Sequence, residues 1–294
     1  MIHYSHCPVC ASTAFHFVLS AEDYTVSHQQ FQIFECDSCS LRFTNDVPSQ
    51  QEIGPYYQSE NYISHSDTDK GVVNRLYHIV RALTIRGKKN IIKHFTKKQQ
   101  GSILDIGSGT GVFLKAMKAS GWSVTGLEPD VGARKTAFET NGINAEEPSK
   151  LFNLPAASFD AITLWHVLEH VHELHEYIGQ IKKLLAPGGK VFIAVPNYKS
   201  YDAENYKQYW AAYDVPRHLY HFSPASMKKL LSLHGLQIQH ILPMWFDSYY
   251  VSILSEKYRS GKDHYFSAFF KGSISNMKTL GNAEACSSLI YVAS

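Results

Sequence analysis

Apolar and polar positions alternate with different periods along the chain, and the pattern is clearest after residue 100. Short apolar runs there alternate with stretches whose apolar residues recur at helical spacing. Strands are predicted near 102–106, 123–127, 143–146, 160–165, 190–195, 237–242 and 287–293, and helices near 111–120, 131–141, 171–185 and 224–233. This alternation predicts an α/β fold in which helices cover both faces of a parallel sheet.

Two segments interrupt the alternation. Residues 197–222 are irregular and rich in tyrosine, tryptophan and histidine, and residues 243–286 are again aromatic, with a partly helical pattern. We interpret both segments as insertions into a single domain that spans residues 100–294.

Residues 46–99 lead into this domain. The part from 46 to 69 has the composition of a surface linker. Residues 70–98 have the apolar spacing of an amphipathic helix, which we expect to act as a lid and in which Gly87 predicts a break or bend. Basic residues cluster on this helix: Arg86, Lys88, Lys89, Lys93, Lys97 and Lys98. A contact with an anionic substrate is one interpretation of this cluster, and a solvated helix face is the interpretation that the pattern favours.

The segment 1–45 is predicted to form a module of its own, because two Cys-x-x-Cys pairs enclose its short apolar runs. Cys7 and Cys10 are separated from Cys36 and Cys39 by twenty-five residues. Four thiolates can form a tetrahedral zinc site with no position left for substrate, and so small a segment needs such a site to fold. We therefore predict a zinc-ribbon-like module with structural zinc, and free thiols or a redox pair are the alternatives.

Composition limits the classes of function. Of the 294 residues, 44% are hydrophobic and 18% are charged, and the formal charge of +2 gives no reason to expect nucleic acid as a partner. No apolar run approaches the length of a membrane span, and the first residues do not begin a secretory signal. We expect a cytoplasmic protein, in which paired cysteines favour metal over disulfide and the lone Cys286 is not a ligand.

The first strand after residue 100 leads into a glycine-rich turn, Ile103-Leu104-Asp105-Ile106-Gly107-Ser108-Gly109-Thr110-Gly111. Glycines let the backbone turn tightly and approach a ligand closely. The next strand ends at Glu128, whose carboxylate can accept hydrogen bonds from the two hydroxyls of a ribose. Asp105 would repel a pyrophosphate, but it suits the ammonium group of an amino-acid-bearing cofactor. The unit therefore predicts a nucleoside site of that kind.

With this turn the chain resembles the class I S-adenosylmethionine-dependent methyltransferases, whose first motif is Asp-x-Gly-x-Gly-x-Gly. The resemblance continues in residues 158–171, which are similar to the family's fourth strand and following helix, and in residues 184–190, the turn before its fifth strand. It implies a Rossmann-like seven-stranded sheet with an antiparallel last strand, S-adenosylmethionine as cofactor and S-adenosylhomocysteine as product.

The resemblance also implies contacts with the cofactor. The residues that it places there are Asp105, Gly107, Ser108, Gly109, Gly111, Glu128, Pro129, Trp165 and His166. Asp105 would order the turn or bind the amino group, and Glu128 would hold the ribose. Tyr57 and Tyr62 precede the first motif and are candidate lid residues, with simple packing of the linker on the core as the alternative.

Methylation of an oxygen or carbon acid needs a base to remove a proton. The insertion 197–222 offers His218 and His221, because histidine has the free pKa nearest neutrality. Arg217 is a possible clamp for a carboxylate or phosphate. The alternative is that this run only braces the insertion against the sheet.

We therefore predict a methyltransferase that acts on a small-molecule acceptor, at oxygen or carbon. One rival is an RNA- or DNA-modifying methyltransferase that grips nucleic acid through the zinc module. The low net charge and the sequence of residues 165–168, which is not an N/D-P-P-Y/F run, argue against this rival. A cofactor-binding module without catalysis is the second rival. A nicotinamide dehydrogenase is disfavoured by the glycine spacing, and the oligomeric state is left open.

Overall fold

The computed structural model describes residues 1–58, 72–262 and 264–294, and for residues 72–79 it describes the backbone alone. The predicted lid residue Tyr62 lies outside the described residues. The strands form one sheet of four strands and one of seven.

The strands, in chain order, are β1 (Phe15–Glu22), β2 (Gln30–Cys36), β3 (Arg42–Asn45), β4 (Ser102–Ile106), β5 (Ser123–Leu127), β6 (Ala145–Glu146), β7 (Phe159–Trp165), β8 (Leu185–Pro196), β9 (Tyr220–His221), β10 (Ile238–Pro243) and β11 (Ser288–Ala293). The helices are α1 (Val72–Thr96), α2 (Val112–Lys118), α3 (Val131–Asn141), α4 (Leu174–Leu184), α5 (Tyr201–Tyr206), α6 (Pro224–Leu233), α7 (Asp247–Ser260) and α8 (Tyr265–Gly281). Short 3-10 helices cover Gly54–Tyr57, Pro148–Asn153, Leu168–His170, Lys207–Tyr209, Ala211–Tyr213 and Ala283–Ala285.

The seven-stranded sheet confirms the predicted fold. Its order is β10-β11-β8-β7-β4-β5-β6, and the pairs among β4, β5, β6, β7 and β8 are parallel. The last strand, β11, is inserted between β8 and β10 and is antiparallel to both. From β4 the chain adds β5 and β6 on one side, and it then crosses back to add β7 and β8 on the other side of β4. Ligands of open parallel sheets bind at such a reversal, beyond the carboxyl ends of the strands.

Alternate residues of the central strands enter two different apolar clusters. Ile103 and Ala161 pack in a cluster that includes Phe113 of α2, whereas Leu104 and Ile162 pack in a cluster with the apolar side of α4. Successive side chains of a strand point to opposite faces, so this division shows that both faces of the sheet are covered. It explains why the strands were visible in the sequence as nearly continuous apolar runs.

The four-stranded sheet joins the predicted amino-terminal module to the predicted insertion 197–222. Its order is β1-β2-β3-β9, with Phe43 of β3 opposite Tyr220 of β9. A continuous apolar cluster extends from Cys7 and Cys36 through Phe43 to Leu164 of β7. The cysteine-bearing segment is therefore packed on the same core as the large sheet.

Helix α1 differs from the prediction, because it continues through Gly87 without a break. A glycine in a helix interior costs about 1 kcal/mol relative to alanine. Packing of Ile85, Ile92 and Phe95 against the core outweighs that cost. The insertion 243–286 is largely helical and contains α7 and α8. Among the described residues, none of the helices combines the length and the apolar character needed to cross a bilayer.

A buried ion-pair cluster ties the amino-terminal sheet to the insertion. The Arg217 guanidinium is 1% exposed and donates to Asp23 at 3.0 Å and to Asp214 at 2.7 Å, and it also donates to the carbonyl of Tyr56 at 2.9 Å. Burial alone would raise the pKa of Asp23, but the amide of Ser27 and the charge of Arg217 lower that pKa to about 2. The hypothesis that Arg217 clamps a substrate anion is wrong, because the chain's own carboxylates occupy its guanidinium.

Replacement of Arg217 by methionine should lower the free energy of unfolding by about 3–5 kcal/mol, because it leaves the fully buried Asp23 without its cation. Urea denaturation measures the loss. The control is Arg259→Met, which removes an arginine that is 41% exposed and pairs with Glu256, and which should cost less than about 1 kcal/mol. Equal effects of the two variants would contradict the structural role given to Arg217.

Candidate active site

The glycine turn at the carboxyl end of β4 has two packed glycines and one open glycine. All three have positive φ angles: 73° at Gly107, 53° at Gly109 and 75° at Gly111. A Cβ at Gly107 would lie 2.3 Å from the side chain of Val167, and one at Gly111 would lie 3.1 Å from Ala137 and Ile143. A Cβ at Gly109 would meet nothing within 4 Å among the described residues. The backbone at Gly109 is therefore accessible to a ligand.

Asp105 lies at the end of β4 and is buried. It is paired in register with Thr163 of β7, and the Thr163 hydroxyl donates a hydrogen bond to its carboxylate. Burial raises the pKa of Asp105 to about 7, against the opposing hydrogen bond from Thr163 and the charge of Lys88. Asp105 therefore holds its proton at a higher pH than an ordinary aspartate does.

Glu128 follows β5 and holds the glycine turn. Its carboxylate accepts hydrogen bonds from the amide of Gly109 at 2.7 Å and from the amide of Asp130 at 2.9 Å. The amides of Gly107 and Ser108 donate to the carbonyl of Leu127, so the turn is attached to the end of β5. Burial raises the pKa of Glu128, and the two amide bonds oppose that effect. Each carboxylate oxygen has a second lone pair that can accept from a ligand hydroxyl.

Two buried polar groups at this edge have no hydrogen-bond partner among the described residues, namely the Ser108 hydroxyl and the indole N–H of Trp165. Pro129, by contrast, is exposed beside Glu128, and its carbonyl accepts from Arg134 at 2.9 Å. Buried polar groups nearly always have hydrogen-bond partners in folded proteins, so these two groups can donate to a ligand bound at this edge.

Lys88 of α1 enters the site from the amino-terminal side. Its ammonium lies 4.3 Å from the centre of the Trp165 ring, and it interacts electrostatically with Asp105 and Asp247. Burial lowers the pKa of Lys88, and the two acids oppose that effect. A partly buried cation, Lys88, and a buried acid, Asp105, thus interact near the carboxyl end of β4.

His166 directly follows the strand β7 and is fixed between two acids. Its φ of 58° lies in the left-handed region, which is uncommon for a residue other than glycine. Its Nε2 lies 2.8 Å from Asp247 Oδ2, and its Nδ1 lies 3.3 Å from Glu169 Oε1. Burial alone would lower the pKa of His166, but the carboxylates of Asp247 and Glu169 outweigh it and raise that pKa to about 10. His166 is therefore an imidazolium at neutral pH.

His218 lies in contact with the segment that follows β7. Its ring centre is 4.6 Å from that of His170, and its Nδ1 donates to the carbonyl of Ala212 at 2.8 Å. The Tyr57 hydroxyl lies 3.1 Å from Nδ1 of His170. Burial and the neighbouring His218 lower the pKa of His170 to about 4. The structure thus brings His218 and the candidate lid residue Tyr57 to the same histidine, close to Glu169.

His221 lies in the four-stranded sheet, where β9 pairs with β3. Its Nε2 is 3.1 Å from the Thr44 hydroxyl, and its ring packs edge-on against Tyr213. Burial lowers the pKa of His221 well below its usual value. These contacts are those of a bracing residue, and a catalytic role for His221 stays a prediction.

The four paired cysteines come together as predicted. Their sulfur atoms all lie within 4.8 Å of one another, with 3.5 Å between Cys7 and Cys39 and between Cys10 and Cys36. None of the four forms a disulfide, and Cys286 is buried separately. Four thiols gathered at this spacing are the donor set of a tetrahedral zinc site.

Asp247 and Glu169 were not singled out from the sequence, and Lys88 was named only as one member of the basic cluster on the helix 70–98. Lys88 had a detectable signal, since it follows Ile85 by three residues and precedes Ile92 by four, and so lies on the apolar side of α1. Glu169 lies inside a recognised motif but was not assigned a role. Asp247 begins α7, in an insertion whose position over the sheet no local pattern reveals.

Known proteins similar to this chain are methyltransferases. Residues 80–241, which are 162 of the 294 residues, match the family model described as a methyltransferase domain. The ubiquinone biosynthesis O-methyltransferase of Nitrosococcus oceani is 31% identical over 174 residues, which cover 55% of this chain and 72% of that protein. The protein of the same name from Erwinia tasmaniensis is 35% identical over 33% of this chain, and the match spans only 43% of its length.

A solved structure shares the fold. Magnesium protoporphyrin IX methyltransferase from Synechocystis PCC 6803, with bound S-adenosylhomocysteine, is 14% identical and superposes with a TM-score of 0.50. The similarity covers 78% of this chain and 90% of that chain.

The stability of the ligand-free protein should depend on pH through Asp105. Its pKa is about 7 in the folded chain and near the ordinary value of 3.8 when unfolded, so between these values only the folded chain holds the proton. The contribution of Asp105 to the free energy of unfolding therefore decreases as the pH rises from 4 to 7. Denaturation at several pH values should show Asp105→Asn gaining stability relative to the wild type over this range. A difference that stays constant with pH would contradict the raised pKa.

Proposed function

The chain belongs to the family of class I S-adenosylmethionine-dependent methyltransferases, and we propose that it transfers a methyl group to an oxygen or carbon atom of a small-molecule acceptor. The open backbone at Gly109, between the acids Asp105 and Glu128, is the observation that carries this proposal. It provides a surface for a nucleoside at the strand reversal of the sheet.

The residues at the edge of the sheet fit the cofactor. Glu128 would accept from the ribose hydroxyls, and Gly107 and Gly109 would allow the backbone to lie along the cofactor. Ser108 and Trp165 offer the buried donors that have no partner in the described structure. Lys88 and Asp105 supply one positive and one ionisable acidic group, which match the carboxylate and ammonium of an amino acid. His166 would lie next to the methionine part.

The cofactor supplies a methyl group activated by a positively charged sulfur. The chain's own residues have three tasks: to hold the acceptor in line, to exclude water and to receive a proton. Alignment alone can be worth roughly 7–11 kcal/mol of the barrier. Proton removal by a positioned base contributes on the order of 10² to 10⁴ in rate.

His218 is the base that we propose on the acceptor side. Since its Nδ1 donates to a carbonyl, the lone pair of the neutral ring is on Nε2. Tyr57 and the segment that bears His218 converge on His170, and so they could cover the acceptor from both sides. This arrangement supports the interpretation of Tyr57 as part of a lid.

We also propose that Cys7, Cys10, Cys36 and Cys39 bind one structural zinc ion. Free thiols with mutually close sulfur atoms support this assignment. A closed Cys₄ site has no open position, so its role would be to stabilise the amino-terminal segment on which β3 and β9 pair.

Replacement of Glu128 by alanine should weaken binding of S-adenosylhomocysteine by roughly 1.5–3 kcal/mol, the scale of hydrogen bonds to a charged group. Isothermal titration calorimetry measures the change. The control is His218→Asn, which should bind S-adenosylhomocysteine within about 0.5 kcal/mol of the wild type, because a base for the acceptor need not touch the cofactor product. Unchanged affinity in Glu128→Ala, or tight NAD binding with no response to S-adenosylhomocysteine, would refute the cofactor assignment.

Protein purified without chelator should contain one zinc ion per chain at the cysteine site, as measured by elemental analysis. Cys36→Ser should lose this zinc and lower the thermal unfolding temperature, whereas Cys286→Ser should retain it. A wild-type chain that is folded and free of zinc would overturn the assignment.

A further inference from the structure

The Glu169 carboxylate is buried and shares the imidazolium of His166 with Asp247. The residue is fully buried, and neither oxygen has a hydrogen-bond partner within the described ranges. The 3.3 Å contact with His166 Nδ1 is an electrostatic contact whose geometry is not that of a hydrogen bond. His166 lies closer to Asp247, at 2.8 Å, than to Glu169. A buried carboxylate in this condition is costly unless another cation neutralises it.

Glu169 forms no ion pair with an arginine among the described residues. Arg217 lies two residues before Leu219, whose amide donates to the carbonyl of Glu169 at 2.8 Å, but the guanidinium of Arg217 is bound to Asp23 and Asp214. Asp214 adds further negative charge to the group, since its Oδ2 lies 3.9 Å from Nε2 of His218. The groups near Glu169 are therefore Asp214, which is paired with Arg217, and the two histidines His170 and His218.

Those two histidines have orientations fixed by the backbone. Nδ1 of His170 donates to the carbonyl of Arg217 at 3.0 Å, and Nδ1 of His218 donates to the carbonyl of Ala212 at 2.8 Å. A carbonyl oxygen can only accept, so Nδ1 carries the hydrogen in both rings and Nε2 has the lone pair. Metal-binding histidines commonly donate their other ring N–H to a backbone carbonyl in this way.

We propose that Glu169, His170 and His218 bind a divalent transition-metal ion. One ligand atom from each of the three residues lies within 4.8 Å of the others. Two imidazoles with one carboxylate suit zinc, iron, cobalt or nickel better than magnesium or calcium. Three protein ligands leave coordination positions open, in contrast to the closed set of four cysteines.

The ion would lie beside the glycine turn. Val167, which immediately precedes the Leu168–His170 helix, packs against Gly107. With its Nε2 bound to the ion, His218 would not act as the base, and the ion would take over that task. An acceptor hydroxyl bound to an open position would have a lowered pKa and could give its proton to water. Its oxygen would then form a bond to the methyl carbon while the carbon–sulfur bond breaks and leaves its electron pair on sulfur. This role in catalysis rests on the proposed methyl transfer, whereas metal binding itself does not.

Cobalt(II) titration of the zinc-containing protein, without cofactor or acceptor, tests the site. We expect one cobalt ion per chain in addition to the zinc of the cysteine site, with visible ligand-field absorption and no thiolate charge-transfer band. Glu169→Gln and His218→Asn should each weaken cobalt binding by about 100-fold or more, the upper range for losses in the surroundings of a metal. The control is His240→Asn, which removes an exposed histidine and should bind cobalt as the wild type does.

Retained zinc and an unchanged unfolding temperature show that a variant has folded. If Glu169→Gln fails to fold, the variants Glu169→Asp and His218→Asn test the site in its place. Aspartate keeps the negative charge, so Glu169→Asp should retain measurable cobalt binding, whereas His218→Asn should lose it. A wild type that binds no cobalt, or a folded Glu169→Gln that binds it normally, would overturn the proposal. Calorimetry with S-adenosylhomocysteine separates the two proposals. A protein that binds S-adenosylhomocysteine but not cobalt refutes the metal site alone. A protein that binds cobalt but not S-adenosylhomocysteine supports the metal site and refutes the methyltransferase assignment.

Discussion

The parallel register of β4 with β5 and β7 is the constraint on which the site depends. It places Asp105 beside Thr163 and beside Gly126, and it brings the ends of the three strands to one edge of the sheet. Because side chains alternate along a strand, a slip of one residue would turn Asp105 to the opposite face. The glycine turn, the carboxylate of Glu128 and the start of the segment at His166 would then no longer share one space.

Burial of acidic groups at this edge explains why distant parts of the chain converge there. Asp105, Glu128 and Glu169 are all buried, and each needs donors or cations to offset the loss of water. Amides of the turn serve Glu128, and Lys88 of α1 interacts with Asp105. Histidines from both sides surround Glu169. The helix before the sheet and the insertions after it therefore complete an environment that the sheet alone would leave unfavourable.

Local sequence patterns were sufficient for the sheet and for the glycine turn. Short apolar runs identified the strands, helical spacing identified the helices, and the glycine spacing after Asp105 identified the turn at the carboxyl end of β4. The patterns failed where long-range packing decides the outcome. Gly87 does not break α1 because Ile85 and Ile92, on either side of it, pack against the core. Arg217 binds Asp23, which lies far away in sequence. Asp247 reaches His166 only because α7 folds back over the sheet, and no local periodicity encodes such a contact.

The pairing of β3 with β9 has a consequence for the order in which the chain can fold. The hydroxyl of Thr44 bonds the carbonyl of His218, a contact between residues 174 positions apart. Until the ribosome has released that later segment, β3 presents an unpaired edge, and edges of this kind are prone to pair with other chains. The four cysteines lie within the first 39 residues, so they can gather much earlier than the sheet can be completed. Early closure of the cysteine cluster would hold β1, β2 and β3 together during synthesis. The four-stranded sheet, whose contacts join residues far apart in sequence, would then be exposed to pairing with other chains for a shorter time.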